Sequence, residues 1–248
     1  MRPGLPADTA APQPGAHHES SSSVWRDYAT DAEVLLVIFS GLKQNPTAMP
    51  GFSFVNVTAG LAAKKLFVRD PDKAWFLRGL RGETTDVSQT VAFLRAEAAR
   101  SGARRLVLLG YSMGGFAAIL YGALLKADAV HAFSPQTFIS CWKRLRFRDH
   151  RWRRYVWRLY FGNTRPFHDL RSMIPSEKQT RFHVYYAENS RLDVIHAAQV
   201  EGMPGFIHHA YAEGAHRLVT TLRDKGELRA IMERAVAPDS LRTPGETG

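Results

Sequence analysis

Residues 105–115 read Arg-Leu-Val-Leu-Leu-Gly-Tyr-Ser-Met-Gly-Gly, and Phe-Ala-Ala-Ile-Leu-Tyr follows at once. The short apolar run predicts a strand buried on both faces, and residues 114–127 predict a buried helix because they are apolar nearly all round. Gly110 and Gly114 flank Ser112 at two residues on either side, where a turn this sharp leaves no room for side chains. The pattern therefore predicts a strained turn that exposes the Ser112 hydroxyl above the sheet, with backbone N–H groups of the helix start beside it.

The same alternation of apolar strand and helix extends along the chain. Ser40-Gly41 ends the first strand and Arg69-Asp70 the second. Strands alternating with helices are typical of a mostly parallel sheet with helices on both faces. We predict about six strands, at 34–39, 65–68, 105–109, 129–133, 182–187 and 205–211, and helices at about 85–100, 114–127, before 200, and at 217–236.

Length and composition indicate one globular domain of ordinary type. The chain has 248 residues, 45% of them hydrophobic, which suffices for one core without a metal or disulfide staple. Cys141 is the only cysteine, so an intramolecular disulfide is excluded. We expect disordered tails at 1–23 and 238–248, one domain at 24–237 and a cytoplasmic protein, because no signal-peptide core or membrane-spanning run occurs.

A serine hydroxyl is a weak nucleophile and needs a base that is itself oriented by an acid. Asp193 follows the fifth predicted strand and His216 the sixth, so both loops lie at the carboxyl edge of the sheet, as Ser112 does. His196 is the one serious rival of His216, and Glu188 is the rival of Asp193.

The Gly110–Gly115 motif, the Asp193 loop and the loop Glu213-Gly214-Ala215-His216 together resemble the α/β-hydrolase superfamily of serine hydrolases, over about residues 34–237. The turns at 69–72 and 134–136 look like those of small bacterial esterases and thioesterases. The resemblance implies Ser112 as nucleophile, His216 as general base and then acid, and Asp193 as the residue that orients the imidazole. It also implies an oxyanion hole formed by the N–H of Met113 and that of Gly41 or Leu42.

The segment of about 137–180 interrupts the regular pattern and is expected to form an inserted lid. Between Trp142 and Arg158 it has eight basic residues and one acid, Asp149, a net charge of +7 out of +10 for the whole chain. Three readings stay open for it: a solvated basic helix with an aromatic packing stripe, a set of arginines that bind an anionic substrate, or a surface for nucleic acid or an anionic membrane. Candidate substrate contacts are Ser40, Asp70, Tyr111, Arg151 and Arg154, although Asp70 also fits the cap of a turn.

Two function classes follow. The first is a serine hydrolase that cleaves an ester or thioester of a small molecule, glycan or lipid, with acyl transfer by the same residues as its variant. The second is a catalytically silent module that binds an anionic polymer. No motif for a metal or another cofactor occurs, nucleic acid is disfavoured because no recognised motif accompanies the basic segment, a membrane surface is not indicated, and the oligomeric state is left open.

Overall fold

The computed structural model describes residues 22–42, 51–174 and 180–237. Most of the two predicted tails, at 1–21 and 238–248, lies outside these residues. Ser23, which the sequence assigned to the first tail, is buried, and its carbonyl accepts a hydrogen bond from the Arg69 N–H at 2.9 Å. The described chain is therefore already anchored to the sheet at Ser23.

A seven-stranded sheet forms the centre of the structure, in the order β1-β3-β2-β4-β5-β6-β7. Neighbouring strands from β3 through β7 are all parallel, and only β1 runs antiparallel, beside β3. The strands are β1 Val24–Asp27, β2 Val34–Phe39, β3 Lys64–Val68, β4 Arg105–Tyr111, β5 Ala129–Phe133, β6 Arg181–Ala187 and β7 Phe206–Tyr211. The parallel α/β sheet that the sequence predicted is confirmed.

The seventh strand, β1, is the one the sequence analysis missed. It is four residues long and lies at the edge of the sheet, where Arg26 and Asp27 remain partly exposed. Its charged side chains form ion pairs with other elements: Arg26 pairs with Glu97 at 2.9 Å and Asp27 with Lys65 at 3.1 Å. An edge strand of this kind lacks the uninterrupted apolar run that identifies the central strands.

Helices cover both faces of the sheet. They are α1 Val55–Thr58, α2 Val87–Ser101, α3 Met113–Leu125, α4 Cys141–Arg146, α5 Arg153–Val156, α6 Arg191–Ala198, α7 Leu218–Asp224 and α8 Glu227–Val236. The single last helix predicted at 217–236 is in fact two, because the chain turns at Gly226, whose φ of 76° ends the helical path. Residues 51–54 lead into α1.

Two apolar cores lie on opposite faces of the sheet. The α2 and α3 helices pack on one face, and α1, α7 and α8 pack on the other. The predicted lid lies between β5 and β6, and its Val156, Leu159 and Leu170 belong to the core of the α3 face. The lid is thus built into the body of the domain through its own buried side chains. Among the described residues, no helix is long and apolar enough to cross a membrane.

Three histidines from adjacent strands stack on the face that α8 covers. The ring centroids of His131 and His183 are 4.6 Å apart, and those of His183 and His209 are 5.3 Å apart. Burial, and then the positive charge of its neighbours, lowers the pKa of His183 to about 4 and places the pKa of His131 well below its usual value. Burial likewise lowers the pKa of His196, in α6, to about 4.

These depressed pKa values predict a loss of stability on acidification. These histidines bind more protons in the unfolded chain than in the folded one between about pH 6.5 and pH 4, so they lower the free energy of unfolding as pH falls through that window. Asp70 opposes part of this loss, because burial raises the pKa of its carboxyl to about 6 and the folded chain takes up that proton first. Between pH 7 and pH 5 each of His183 and His196 should account for about 1–2 kcal/mol. Urea unfolding at both pH values measures this. His183→Gln should flatten the dependence and His150→Gln, at an exposed site, should not; equal stability at both pH values contradicts the prediction.

Candidate active site

The turn at Ser112 has a strained backbone and is so tight that it requires the flanking glycines. Ser112 lies between β4 and α3 with φ 55° and ψ −113°, a conformation that residues with a side chain rarely adopt. A Cβ on Gly110 would lie 2.0 Å from the carbonyl oxygen of Gly114, and one on Gly114 would lie 2.2 Å from that of Phe39. The backbone crossing therefore admits only glycine at both positions.

A chain of hydrogen bonds joins Ser112, His216 and Asp193. The Oγ of Ser112 is 3.0 Å from Nε2 of His216. On the other side of the ring, Nδ1 lies 2.8 Å from Oδ1 and 3.1 Å from Oδ2 of Asp193. The three residues that the sequence singled out, 104 positions apart at the extremes, are thus brought together at one edge of the sheet.

Local structure fixes the position of His216. It lies in the short 3-10 turn Ala215–Arg217 after β7, and the amide oxygen of Asn189 accepts a hydrogen bond from the Ala215 N–H at 2.9 Å. The Tyr111 hydroxyl donates a hydrogen bond to the His216 carbonyl, and burial raises the pKa of Tyr111 to about 12. Tyr111, a candidate substrate contact, therefore has its hydroxyl engaged in holding the histidine backbone.

Asp193 lies in the first turn of α6 and is 1% exposed. Burial alone would raise the pKa of its carboxyl, but the hydrogen bond from His216, with the charges of His216 and Arg151, outweighs burial and holds the pKa below its usual value. The carboxylate is therefore ionised at neutral pH and stabilises the imidazole tautomer that carries its proton on Nδ1.

Arg151 of the lid reaches the same carboxylate. Its guanidinium donates to Oδ1 of Asp193 at 3.2 Å and, through Nε and the other terminal nitrogen, to both carboxylate oxygens of Asp149 at 3.0 Å. It also lies 3.5 Å from Nδ1 of His216. One guanidinium thus bridges two buried carboxylates directly behind the histidine.

The network continues away from Ser112 through a second histidine. Nε2 of His196 lies 3.1 Å from Oδ2 of Asp149, and Nδ1 accepts a hydrogen bond from the Thr137 N–H at 3.0 Å. Burial opposes ionisation of Asp149, but the hydrogen bonds from His196 and Arg151 hold its pKa far below the usual value. His196, the rival base, is therefore committed to Asp149. Glu188, the rival acid, is exposed at the end of β6.

Sequence reasoning missed the role of Asp149 and His196. Asp149 is the single acid in a strongly basic segment, and a lone acid among eight cations was the one feature that could have indicated a buried ion pair. Nothing in the local sequence joins it to His196, which is 47 residues away.

The residues expected at the oxyanion hole lie close to the Ser112 turn. Met113 is the first residue of α3 and is fully buried, so its N–H lies at the helix start. Gly41 lies beside the Tyr111 ring, because a Cβ on Gly41 would be 3.1 Å from that ring, and its N–H donates to Ser53 Oγ at 3.4 Å. The choice between Gly41 and Leu42 as second donor stays a prediction.

The other three candidate substrate contacts, like Tyr111 and Arg151, form hydrogen bonds within the protein. The carboxylate of Asp70 accepts hydrogen bonds from the N–H groups of Asp72, Ala74 and Phe76, which matches the turn-capping alternative. Ser40 is buried, and its Oγ accepts a hydrogen bond from the Ser53 N–H at 3.0 Å. Arg154 is exposed and donates to the hydroxyl of Tyr155.

The described residues contain no cluster of histidine, cysteine or acidic side chains able to hold a metal ion.

Several solved structures have the same architecture as this chain. A capsule O-acetyltransferase of Neisseria meningitidis serogroup A is 13% identical and aligns with a TM-score of 0.60 over 85% of this chain and 90% of its own. The fluorophosphonate-binding serine hydrolase FphF of Staphylococcus aureus is 11% identical, with a TM-score of 0.54 over 84% and 85% of the two chains. The chain has the α/β-hydrolase fold.

A third similar structure comes from a much longer protein. The Glycosylation Associate Protein (Gap123) complex of Streptococcus agalactiae matches over 87% of this chain at 16% identity and a TM-score of 0.59, but this chain spans only 44% of that one. No family model matches the chain. No curated protein matches it significantly either.

The close backbone contact at the Ser112 turn predicts that alanine is far more destabilising at Gly114 than at Gly162. Gly114→Ala should lower the free energy of unfolding by about 3 kcal/mol or prevent folding, because the new methyl group meets the Phe39 carbonyl. Gly162→Ala should change it by about 0.5 kcal/mol at most, since nothing lies within 4 Å there. Urea unfolding measures both. Equal effects of the two substitutions would contradict the crossing.

The bridge at Arg151 predicts a destabilised variant. Arg151→Met leaves Asp149 and Asp193 buried without their shared cation, so we expect a loss of about 2–4 kcal/mol in the free energy of unfolding. Arg151→Lys should have a free energy of unfolding between those of the wild type and Arg151→Met, because one ammonium group cannot reproduce the forked contacts of the guanidinium. Arg154→Met is the matched control at an exposed arginine and should stay within about 0.5 kcal/mol. If Arg151→Met and Arg154→Met have the same free energy of unfolding, the contacts of Arg151 with the two carboxylates do not stabilise the fold.

Proposed function

We propose that this chain is a serine hydrolase that cleaves a carboxylic ester or thioester through an acyl-enzyme. The observation that carries the proposal is His216, whose two ring nitrogens lie 3.0 Å from Ser112 Oγ and 2.8 Å from Asp193 Oδ1. A hydroxyl, an imidazole and a buried carboxylate in this order form a charge-stabilised proton acceptor for serine. The fold similarity to a serine hydrolase and to an acyltransferase supports the same chemistry.

The proposed reaction has two half-reactions. Ser112 Oγ attacks the acyl carbon while its proton passes to Nε2 of His216, and the protonated ring then gives that proton to the leaving alcohol or thiol. Water next attacks the acyl group on Ser112, with Nε2 as base again, and the acid and free serine result. Asp193 keeps its negative charge throughout and stabilises the imidazolium form.

Charge that develops on the carbonyl oxygen needs donors held in advance. The Met113 N–H, at the start of the 13-residue helix α3, provides one, and the helix dipole favours negative charge at this end. The Gly41 or Leu42 N–H provides the second. Gly41 makes only a long 3.4 Å hydrogen bond to Ser53, so an oxyanion would compete well for that N–H.

The two lid arginines that the sequence suggested as contacts for an anionic substrate are bonded within the protein. The guanidinium of Arg151 is bonded to two carboxylates and holds Asp193, and Arg154 is bonded to Tyr155. The hypothesis of an anionic substrate thus loses the two arginines first named for it. We therefore expect neutral esters to be turned over at least as well as anionic ones.

Acyl transfer is the second candidate for the same residues. It is favoured by the similarity to the capsule O-acetyltransferase, which spans most of both chains. Here an alcohol would replace water in the second half-reaction. Competition between water and an added alcohol for the acyl group on Ser112 separates the two outcomes.

A fluorophosphonate probe tests the proposal. It should label the protein once, on Ser112, and Ser112→Ala should abolish labelling and the turnover of short p-nitrophenyl esters. Ser172→Ala, at an exposed serine, is the matched control and should label like the wild type. His216→Ala should reduce the labelling rate by about 10³-fold or more, because it removes the base.

The contradicting results are equally specific. A wild type that is folded but neither labelled nor active would favour the silent binding module. Labelling that persists in Ser112→Ala would place the nucleophile elsewhere. Product analysis with an added alcohol then distinguishes hydrolysis from acyl transfer.

A further inference from the structure

The outer surface of the lid combines exposed apolar side chains with unpaired positive charge. Trp142 is 71% exposed, Leu145 67%, Trp157 59% and Phe161 71%. Among the described residues, the next most exposed large hydrophobic side chain is Val194, at only 36%. Exposed apolar side chains that cluster in one segment indicate an interaction surface.

The four side chains form two neighbouring pairs. Trp142 and Leu145 are three residues apart on α4, and so lie on one side of that helix. Trp157 and Phe161 are in ring contact, with centroids 5.3 Å apart. Leu145 and Trp157 line the same hollow, together with Cys141 and Arg153, so the two pairs belong to one surface.

Exposed arginines lie in the same segment as these pairs, and none of them forms an ion pair with a carboxylate among the described residues. Asp149, the only carboxylate between Cys141 and Gly162, is buried and bonded to Arg151 and His196. Lys143 of α4 is paired with Asp169 at 2.6 Å, so the charge that this segment leaves unpaired at the surface is that of its arginines. Its exposed members are Arg146, Arg148, Arg153, Arg154 and Arg158.

We propose that this outer surface of the lid docks on an anionic lipid bilayer. Tryptophan, phenylalanine and leucine enter the boundary between headgroups and acyl chains, and arginines bind the lipid phosphates while their stems stay on the apolar side. Anionic lipid adds a long-range attraction for each exposed arginine. An aliphatic side chain, aromatic side chains and an excess of arginines together fit this partner.

Other partners fit less well. A second copy of the chain placed on this surface in a symmetric contact would set arginines against arginines. Single-stranded nucleic acid uses aromatic faces for base stacking, but Leu145 has none, and Trp157 and Phe161 pack against each other at an interplanar angle of 69°.

Docking here would also orient the candidate active site. The lid that carries this surface contributes Arg151 to the carboxylate of Asp193, so the surface and the Ser112 site belong to one rigidly connected region. The docking itself does not depend on the proposed hydrolase activity. Ser112→Ala should bind vesicles as the wild type does, which keeps the two proposals separable.

Vesicle co-sedimentation with the full chain tests the proposal. We expect binding to phosphatidylcholine vesicles that contain about one third phosphatidylglycerol, at least tenfold weaker binding to phosphatidylcholine alone, and a decrease with added salt. The double variant Trp142→Ala/Leu145→Ala and the double variant Arg146→Glu/Arg153→Glu should each weaken binding about tenfold. Arg95→Glu/Arg223→Glu is the matched charge control, at exposed arginines outside the lid, and should bind several-fold better than the lid variant of equal charge.

Brominated lipids give a readout of insertion, because they quench only tryptophans that enter the bilayer. Quenching should be strong in the wild type and reduced in Trp142→Phe/Trp157→Phe, while unfolding curves show that all variants remain folded. Absence of binding to anionic vesicles overturns the proposal, and so does binding that the apolar substitutions leave unchanged. Tighter binding to single-stranded DNA than to vesicles, or self-association that Trp142→Ala/Leu145→Ala abolishes in place of vesicle binding, assigns the surface to another partner.

Discussion

The arrangement at the sheet edge depends on one buried negative charge, the carboxylate of Asp193. A carboxylate that is 1% exposed is costly unless donors surround it, and here those donors are the imidazole of His216 and the guanidinium of Arg151. The hydrogen bond to His216 also orients the ring, so that its second nitrogen faces Ser112, while Arg151 holds the carboxylate in place. Stability and chemistry are therefore provided by one set of hydrogen bonds.

The lid is part of this arrangement and not an appendage to it. Its Val156 and Leu159 are buried in the core of the α3 face, and its Arg151 is shared between Asp149 and Asp193. Displacing the lid would take the Arg151 cation away from the buried Asp193 and separate Asp149 from His196, which is energetically costly. The outer side of the same segment is the most apolar exposed surface among the described residues, so one insertion contributes a buried ionic contact inward and an unusual surface outward.

Much of this could be predicted from the sequence, for identifiable reasons. The central strands are uninterrupted apolar runs, and Gly110 and Gly114 mark a turn that only glycine permits, so the parallel sheet and the position of Ser112 followed directly. The order of strands then brought Asp193 and His216 to the same edge. Edge strand β1 was missed because it is short and partly polar. The partners of Arg151 were missed because a charge pattern shows that cations are abundant, but not which one turns inward to a carboxylate 42 residues away.

The most direct test of this account is the tautomer of His216, observed by long-range ¹H–¹⁵N correlation of the imidazole rings and assigned through the signals lost in His216→Gln. We predict that the neutral ring carries its proton on Nδ1, bonded to Asp193, and keeps Nε2 unprotonated toward the hydroxyl of Ser112. A ring protonated on Nε2, or one averaging between both tautomers as a free imidazole does in water, would contradict it.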